Sequence, residues 1–486
     1  MLFPTVTFAI FFLLVFAASW LLMPFFRLWK WFMIAASVVF LWWWGGPGLD
    51  LKLFVIPWPV FLLATFTLGN QFFAVLINGS RGLGARKGFL AAALVFDLGI
   101  LAWFKYYDFF VAQVDDVLDA IRLGTPLGFL NMVLPVGVSF LTFRAITYVV
   151  DVYRGREEPA PTLDFALYVC FFPYLMAGPI ARASQFLPQL REPRDPRSID
   201  VGRALFLIYA GLLKKMLLAD YLAKHLVVGV FLAPGQFTSL ETLVAILGYS
   251  VQIYCDFSAY SDIAIGISLL LGFELPDNFN APYTARTLQD FWRRWHMTLS
   301  SWLRDYLYIP LGGNRKGEGR TYVNIMVTML LAGLWHGAGW TFVIWGGLHG
   351  AGQCVGRARR AGRKARGLPD LPGGALNVAR QRAITFAYVT FAWIFFASGS
   401  LGAALRVIKQ LFVAWGSVGS GVTLTFLLVI AIGIGVQYIP QRLWQNVEAS
   451  FSRLNPLLQG VAVGVGLFAI SVLAPAGPAT FLYFRF

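Results

Sequence analysis

Charge is what this chain of 486 residues has least of. Asp, Glu, Lys and Arg together make up 13% of it, against about 25% in a soluble domain. With 58% hydrophobic and 16% aromatic residues and a mean hydropathy of +0.67, too little polar surface exists to cover a water-exposed fold. The same figures exclude a disordered chain, a collagen and a coiled coil. Cysteine is almost missing: Cys170, Cys255 and Cys354 are the whole supply. The first two sit in apolar runs, so neither a disulfide framework nor a Cys-based metal site is expected. Acidic residues are the scarcer charge, 24 against 39 basic, for a net charge of +15. In a polytopic membrane protein such an excess marks cytoplasmic loops. Spread over many short loops, it builds no nucleic-acid surface.

What is abundant is apolar runs of spanning length. Phe3 to Met23 is apolar for about 20 residues, enough to cross a bilayer. Nothing basic precedes it, and Arg27 and Lys30 follow it. It reads as a retained first helix with its amino end outside, not a cleaved leader. Further apolar stretches fall near 31–48, 53–78, 89–112 and 131–150. Their connections carry, in turn, Arg27 and Lys30; Asp50 and Lys52; Arg81, Arg86 and Lys87; Asp115, Asp116, Asp119 and Arg122; then Arg154 and Arg156. Basic loops alternate with weakly charged or acidic ones, as five successive spans require.

Beyond residue 156 the alternation becomes irregular. The 181–203 loop is again basic, so 163–180 is expected to dip in and return. Helices follow near 203–220 and 240–272. Residues 276–320 hold seven Lys and Arg against four carboxylates, and 353–383 hold eight against Asp370 alone. Both read as cytoplasmic. Residues 321–352 between them are too many for one span and too few for two, which takes about 40 residues. A broken or re-entrant hairpin is expected, bent at Gly333-Leu-Trp-His-Gly-Ala-Gly339, and such backbone is tolerated at depth only beside a protein cavity. Stretches near 384–398, 421–439 and 458–475 complete about 11 spans. No internal repeat of the transporter kind is visible.

Only four histidines occur: His225, His296, His336 and His349. His336 lies at the expected bend, and an ionisable group within the membrane is by default a functional candidate. Neutral imidazole can take a proton from a thiol or hydroxyl where water is scarce. Metal binding is not expected, because no His pair has ligand spacing. His296 lies in a run from Thr287 to Tyr308 that opens with a T-x-x-D capping box. Leu288, Phe291, Trp292, Trp295, Leu299, Trp302, Leu303 and Tyr306 recur at three- and four-residue steps. This predicts one amphipathic helix with His296 at the edge of the apolar stripe, either lying at the membrane surface with its tryptophans at headgroup depth or packed under the bundle. Arg293, Arg294 and Arg304 either face headgroups or hold a phosphate-bearing donor. Leu311-Gly-Gly-Asn-Arg-Lys-Gly317 is Gly-rich but lacks the Walker pattern. In Tyr254-Cys-Asp-Phe-Ser-Ala-Tyr-Ser-Asp262, Ser258 and Asp262 share a helix face and Asp256 points elsewhere. These carboxylates suit a proton relay, a pore or helix–helix hydrogen bonds.

Several of these motifs, in this order, resemble one family. They are Leu134-Pro-Val-Gly-Val-Ser-Phe-Leu-Thr-Phe143 running to Asp151-Val-Tyr-Arg154, Phe172-Pro-Tyr-Leu-Met-Ala-Gly-Pro-Ile180 and Asp256-Phe-Ser-Ala-Tyr-Ser-Asp262. Phe291-Trp-Arg-Arg-Trp-His-Met-Thr-Leu-Ser300, Gly333-Leu-Trp-His-Gly337 and the closing Phe481-Leu-Tyr-Phe-Arg-Phe486 complete the set. Together they resemble the membrane-bound O-acyltransferases, in the bacterial alginate O-acetylation branch. The resemblance implies an all-α polytopic bundle of about 11 transmembrane helices, with re-entrant and amphipathic helices around a central tunnel. It implies one domain over 1–486, with 1–156 as amino-terminal spans, 240–352 as the catalytic core and 384–486 as carboxy-terminal spans. His336 is then the essential residue and His296 its companion, while His349 and His225 are structural. Arg293, Arg294, Trp292, Trp335, Asn314 and Ser258 are the substrate-binding candidates, with no metal and no bound cofactor.

The activity implied is transfer of acetyl from cytoplasmic acetyl-coenzyme A (acetyl-CoA) toward an extracytoplasmic polysaccharide, through a separate SGNH-type acetyltransferase. The implied location is the bacterial inner membrane. D-alanyl transfer from a carrier-protein thioester to a cell-wall polymer, or a non-enzymatic transporter or channel, are the alternatives.

Overall fold

The structure is a computed structural model that describes residues 3–43, 58–124, 128–130, 135, 137–416, 421–475 and 477. The Asp50 and Lys52 loop, Leu134, Val136 and the closing 481–486 motif lie outside the described residues. Every regular element among the described residues is helical. The chain divides into two compact units, Met1–Ala204 with Ala264–Pro276, and Leu205–Ile263 with Asp277–Phe486.

The first unit contains α1 (Val6–Leu22), α2 (Phe26–Trp42), α3 (Trp58–Gly79), α4 (Leu83–Lys105), α5 (Tyr107–Ala120), α6 (Val138–Tyr153) and α7 (Thr162–Cys170). Thr5 caps α1 by accepting the Phe8 N–H. The acidic connection expected at Asp115, Asp116, Asp119 and Arg122 is helical as far as Ala120, within α5. α6 is buried along almost its whole length and packs on α3 and α4. Nine residues make α7 about 14 Å long, far short of a span, and the chain then breaks at Phe171. The 163–180 segment is therefore not one continuous helix. Its broken backbone is buried, so its carbonyls need partners. Arg144 supplies them: its guanidinium donates to the carbonyls of Tyr174 (3.2 Å) and Leu175 (3.1 Å). Gly137 sits beside the same break at φ +80°, and a Cβ there would lie 2.8 Å from the Leu175 carbonyl oxygen. Residues 264–276 join this unit through Trp20, whose indole N–H donates to the Leu270 carbonyl at 3.0 Å, and through Trp29 stacked on Phe273 at 5.3 Å.

The second unit begins within α8 (Val201–Leu213), at Leu205, and runs through two π-helical turns, Lys214–Ala219 and Ala223–Val227, to Leu232. It continues with α9 (Ser239–Leu270), α10 (Leu288–Trp292), α11 (Met297–Leu303), α12 (Glu318–His336), α13 (Trp340–Ala365) and α14 (Ala375–Ala397). Four more helices close it: α15 (Leu401–Val413), α16 (Leu424–Gly435), α17 (Gln441–Ser452) and α18 (Pro456–Leu473). Among the described residues, helices at Val60–Gly79, Leu83–Lys105, Ser239–Leu270 and Pro456–Leu473 are long and apolar enough to cross a membrane. The pair Leu424–Tyr438 and Gln441–Ser452, bent by 94°, makes five if it is one span. α2 and α6 fall short of that test in length, with 17 and 16 residues.

The first π turn places two consecutive lysines against α9, which carries the acidic motif. Lys214 donates to Ser258 Oγ at 3.0 Å and pairs with Asp262. Lys215 turns the other way, to Asp256 at 2.7 Å and Asp220 at 2.8 Å, all three buried. These lysines have no place in the sequence reading. Two cations inside an otherwise apolar helix were the available signal.

Removing one member of such a buried group strands the others. Lys215→Ala is expected to cost about 3–5 kcal/mol, read as a lower melting temperature of the detergent-purified protein. The triple change Lys215→Met, Asp220→Asn, Asp256→Asn should recover part of that loss.

Candidate active site

The hairpin α12–α13 sets the site. The expectation of a broken hairpin holds, but the helices reach further than 321–352. With 19 and 26 residues they measure about 28 and 39 Å, because helix continues into the basic 353–365 stretch. Gly337 and Gly339 adopt extended backbone between them. The two helices run antiparallel at glycine contact distance: a Cβ on Gly333 would collide with the Phe342 carbonyl, and one on Gly346 with that of Met329. This close approach is the small-residue packing of membrane helices. It fixes His336, the last residue of α12, against Trp345 of α13, with ring centroids 5.1 Å apart and planes perpendicular. One turn on, His349 lies 4.8 Å from the same indole.

The 287–308 run is not one helix. Thr287 does cap α10, accepting the Asp290 N–H at 3.0 Å, while the Asp290 carboxylate reaches Arg286 N–H and Arg294 Nε instead of Thr287. α10 stops after five residues. The interruption comes from residues 278–280. Asn280 N–H donates to the Arg294 carbonyl and Met297 N–H to the Asn278 carbonyl, both at 2.9 Å. Two backbone groups are thereby drawn out of the helical ladder, and His296 takes a left-handed conformation, φ +42° and ψ +56°. Trp292, Trp295 and Trp302 are buried, so they are interior residues and not interfacial anchors. His296 is likewise 0% exposed, not at the edge of a stripe.

Three of the four histidines thus meet in one aromatic cluster. His296 lies edge-on to Phe257 at 4.6 Å and 6.2 Å from Trp335. Trp335 is 4.9 Å from His336, which also touches Phe396 at 5.2 Å. His349 accepts the Trp292 indole N–H on Nδ1 at 3.2 Å. His225 lies elsewhere, against Tyr221. Among the described residues, no three His, Cys, Asp or Glu side chains come together as a metal site.

Beside the cluster is a cavity of about 440 Å³ whose lining includes Trp292, Arg293, Met297, Arg304, Arg357 and Arg360. Arg304 is held by Asp305 at 2.7 and 3.2 Å. Arg357 grips Glu318 with both arms, at 2.8 and 2.7 Å, and holds that carboxyl below the usual carboxylate range. Arg360 donates to Gln289. Arg293 makes no ion pair among the described residues. Trp292 belongs to both places, wall of the cavity and partner of His349.

Of the candidates read from sequence, Trp292 and Arg293 line the cavity, and Trp335 stands between His296 and His336. Arg294 pairs with Asp290, Asn314 is exposed on the turn before α12, and Ser258 is bound to Lys214. None of these three lines the cavity, and neither does His296 or His336. The reading missed the inclusion of His349 in the cluster and the grip of Asn278 on His296.

Comparison with known proteins decides the family. Residues 153–366 match the membrane-bound O-acyltransferase family. A probable alginate O-acetylase AlgI of Pseudomonas aeruginosa is 37% identical over 384 residues, covering 78% of this chain and 69% of that protein. The chain belongs to the membrane-bound O-acyltransferase family. Within it, the chain is AlgI-like. A peptidoglycan O-acetyltransferase of Helicobacter pylori is 38% identical over 379 residues, 72% of this chain and 69% of the relative. A teichoic acid D-alanyltransferase of Streptococcus thermophilus is more distant, 30% identical over 280 residues, 54% of this chain and 68% of the relative. This AlgI-like protein is therefore a membrane O-acyltransferase, and its matched region contains all three clustered histidines and the basic cavity.

The Trp292–His349 pair is open to a direct check. Trp292→Phe removes the indole donor to His349 Nδ1 and should cost about 1–3 kcal/mol. Thermal melts of the two single variants and of Trp292→Phe with His349→Leu should show strong coupling, the double variant losing less than the sum.

Proposed function

We propose that this enzyme takes acetyl from cytoplasmic acetyl-CoA and passes it across the membrane to a hydroxyl on the way to an extracytoplasmic polysaccharide. The observation that carries the reading is the shared residue Trp292, which joins an arginine-rimmed cavity to a buried imidazole cluster. Arginine suits the phosphates of coenzyme A by charge and by its two-armed geometry. The acetyl thioester then enters toward His336. The attacking hydroxyl gives its proton to the unprotonated nitrogen of the His336 imidazole while its oxygen bonds to the thioester carbonyl carbon. Collapse of that adduct breaks the carbon–sulfur bond, and the thiolate leaves and takes up the proton.

On this reading residues 1–486 act as one membrane domain of about 11 spans around a tunnel, seated in the bacterial inner membrane with the amino terminus outside. Residues 240–352 carry the reaction between the flanking spans of 1–156 and 384–486. The final acceptor is a polysaccharide, reached through a separate SGNH-type transferase, in line with relatives named for alginate and peptidoglycan O-acetylation. Arg294, Asn314 and Ser258 are assigned supporting roles: Arg294 steadies α10 through Asp290, Asn314 marks the entrance turn and Ser258 holds Lys214.

The test is release of labelled acetyl from acetyl-CoA by the purified protein in liposomes. His336→Ala should lower the rate by about 10²–10⁴-fold at unchanged expression and melting temperature, and equal rates would sink the assignment. Arg293→Ala should raise the KM for acetyl-CoA about tenfold, the value of one charged hydrogen bond. Activity with a D-alanyl carrier thioester, and none with acetyl-CoA, would move the enzyme to the other donor.

A further inference from the structure

The proton on His296 can be placed from hydrogen-bond bookkeeping alone. Asn278 Oδ1 lies 3.3 Å from the Thr298 backbone nitrogen. A backbone N–H can only donate, so the atom facing it must be the amide oxygen and not the amide nitrogen. The Thr298 hydroxyl lies 2.9 Å from that oxygen, and the amide nitrogen donates to Ser261 Oγ at 3.1 Å. The orientation of the Asn278 side chain is thereby fixed. His296 Nδ1 lies 3.0 Å from the same oxygen, which has no proton to offer, so Nδ1 carries the proton. Nε2 of the neutral ring is then a bare lone pair. It is buried with no hydrogen-bond partner among the described residues.

His349 shows the opposite arrangement. Trp292 is a donor only, so His349 Nδ1 is the lone pair and its proton sits on Nε2. The fold therefore holds two of its buried imidazoles in opposite tautomers, each set by one neighbour.

We infer that Asn278 is a positioning residue of the acyl-transfer centre, which holds His296 in the Nδ1–H tautomer so that Nε2 accepts a hydrogen bond from an N–H or O–H of the bound substrate. Three further features serve that task. Asn278 also takes the Met297 N–H on its own carbonyl, so one residue holds the His296 ring and the backbone of the two residues that follow it. The left-handed backbone at His296, unusual for a residue with a Cβ, persists because those bonds over-determine it. Met297, the next residue, lines the cavity. A buried acceptor left without a partner costs stability unless something fills it, and substrate is what the site is built to receive. The inference rests on the reading of the histidine cluster as the reaction centre.

Nitrogen NMR of histidine-labelled protein in lipid tests it without any turnover, with His296→Gln used to assign the signals. His296 should show a protonated Nδ1 and a bare Nε2, and His349 the reverse. Asn278→Ala should mix the His296 tautomers, and Asn278→Asp, which still accepts from Nδ1–H, should keep the wild-type pattern. In the acetyl-release assay Asn278→Ala should lower kcat at least about tenfold with little change in the KM for acetyl-CoA, and Asn278→Asp should recover most of the rate. A proton on Nε2 of wild-type His296 would overturn the inference, and so would an Asn278→Ala protein with unchanged tautomer and unchanged kcat. Should Asn278→Ala fail to assemble, the wild-type spectrum and the Asp variant decide it. Absence of acetyl release by the wild type would count against the donor, while the spectrum would still judge Asn278.

Discussion

A side chain at Gly333 or Gly346 would strike the backbone of the opposite helix, and the centre of the second unit depends on that absence. Because α12 and α13 approach backbone to backbone, the residues one turn either side of the contact are forced together. His336 meets Trp345, Trp345 meets His349, and Trp393 stacks on Trp345 at 5.6 Å. In a hydrocarbon environment no hydrophobic force separates helix from lipid, so packing of this kind is what specifies an interior. Glycine at these positions is a requirement of the site as much as of the fold.

The same economy appears wherever the backbone leaves a helix. Arg144 feeds the carbonyls of the broken segment after α7, and residues 278–280 take up the strands of backbone freed around His296. Each break is thus supported by a side chain or segment distant in sequence. Irregular backbone away from water survives only on such terms, and the two breaks fall within two of the motifs that carry the family resemblance.

How much of this was legible beforehand depends on the signal available. Long apolar runs such as 53–78 and 458–475 marked helices within a few residues, and the glycines at 337 and 339 marked the hairpin turn. The Thr287 cap was also readable, since it is a local hydrogen bond. The break at His296 was not. Apolar residues recur at helical spacing straight through it, because a tight turn buries the same residue types as a helix face. The distant Asn278 that causes the break leaves no local trace. The burial of Trp292, Trp295 and Trp302 has no signature for a related reason: an interfacial and an interior tryptophan look alike in composition. The connection carrying Asp115, Asp116, Asp119 and Arg122 reads as a loop by charge, although the apolar residues among them still allow the helix α5.

His296 and His349 are each held by an uncharged neighbour, an amide and an indole. Many histidine sites place a carboxylate there instead, which stores a negative charge beside the ring. A unit charge moved through a membrane voltage responds by about 2.3 kcal/mol per 100 mV. These two imidazoles at rest, with their neutral partners, give that field nothing to pull on. Within the second unit, fixed charge lies instead with Lys214, Lys215 and their carboxylate partners, so the imidazoles and the ion pairs answer to different forces.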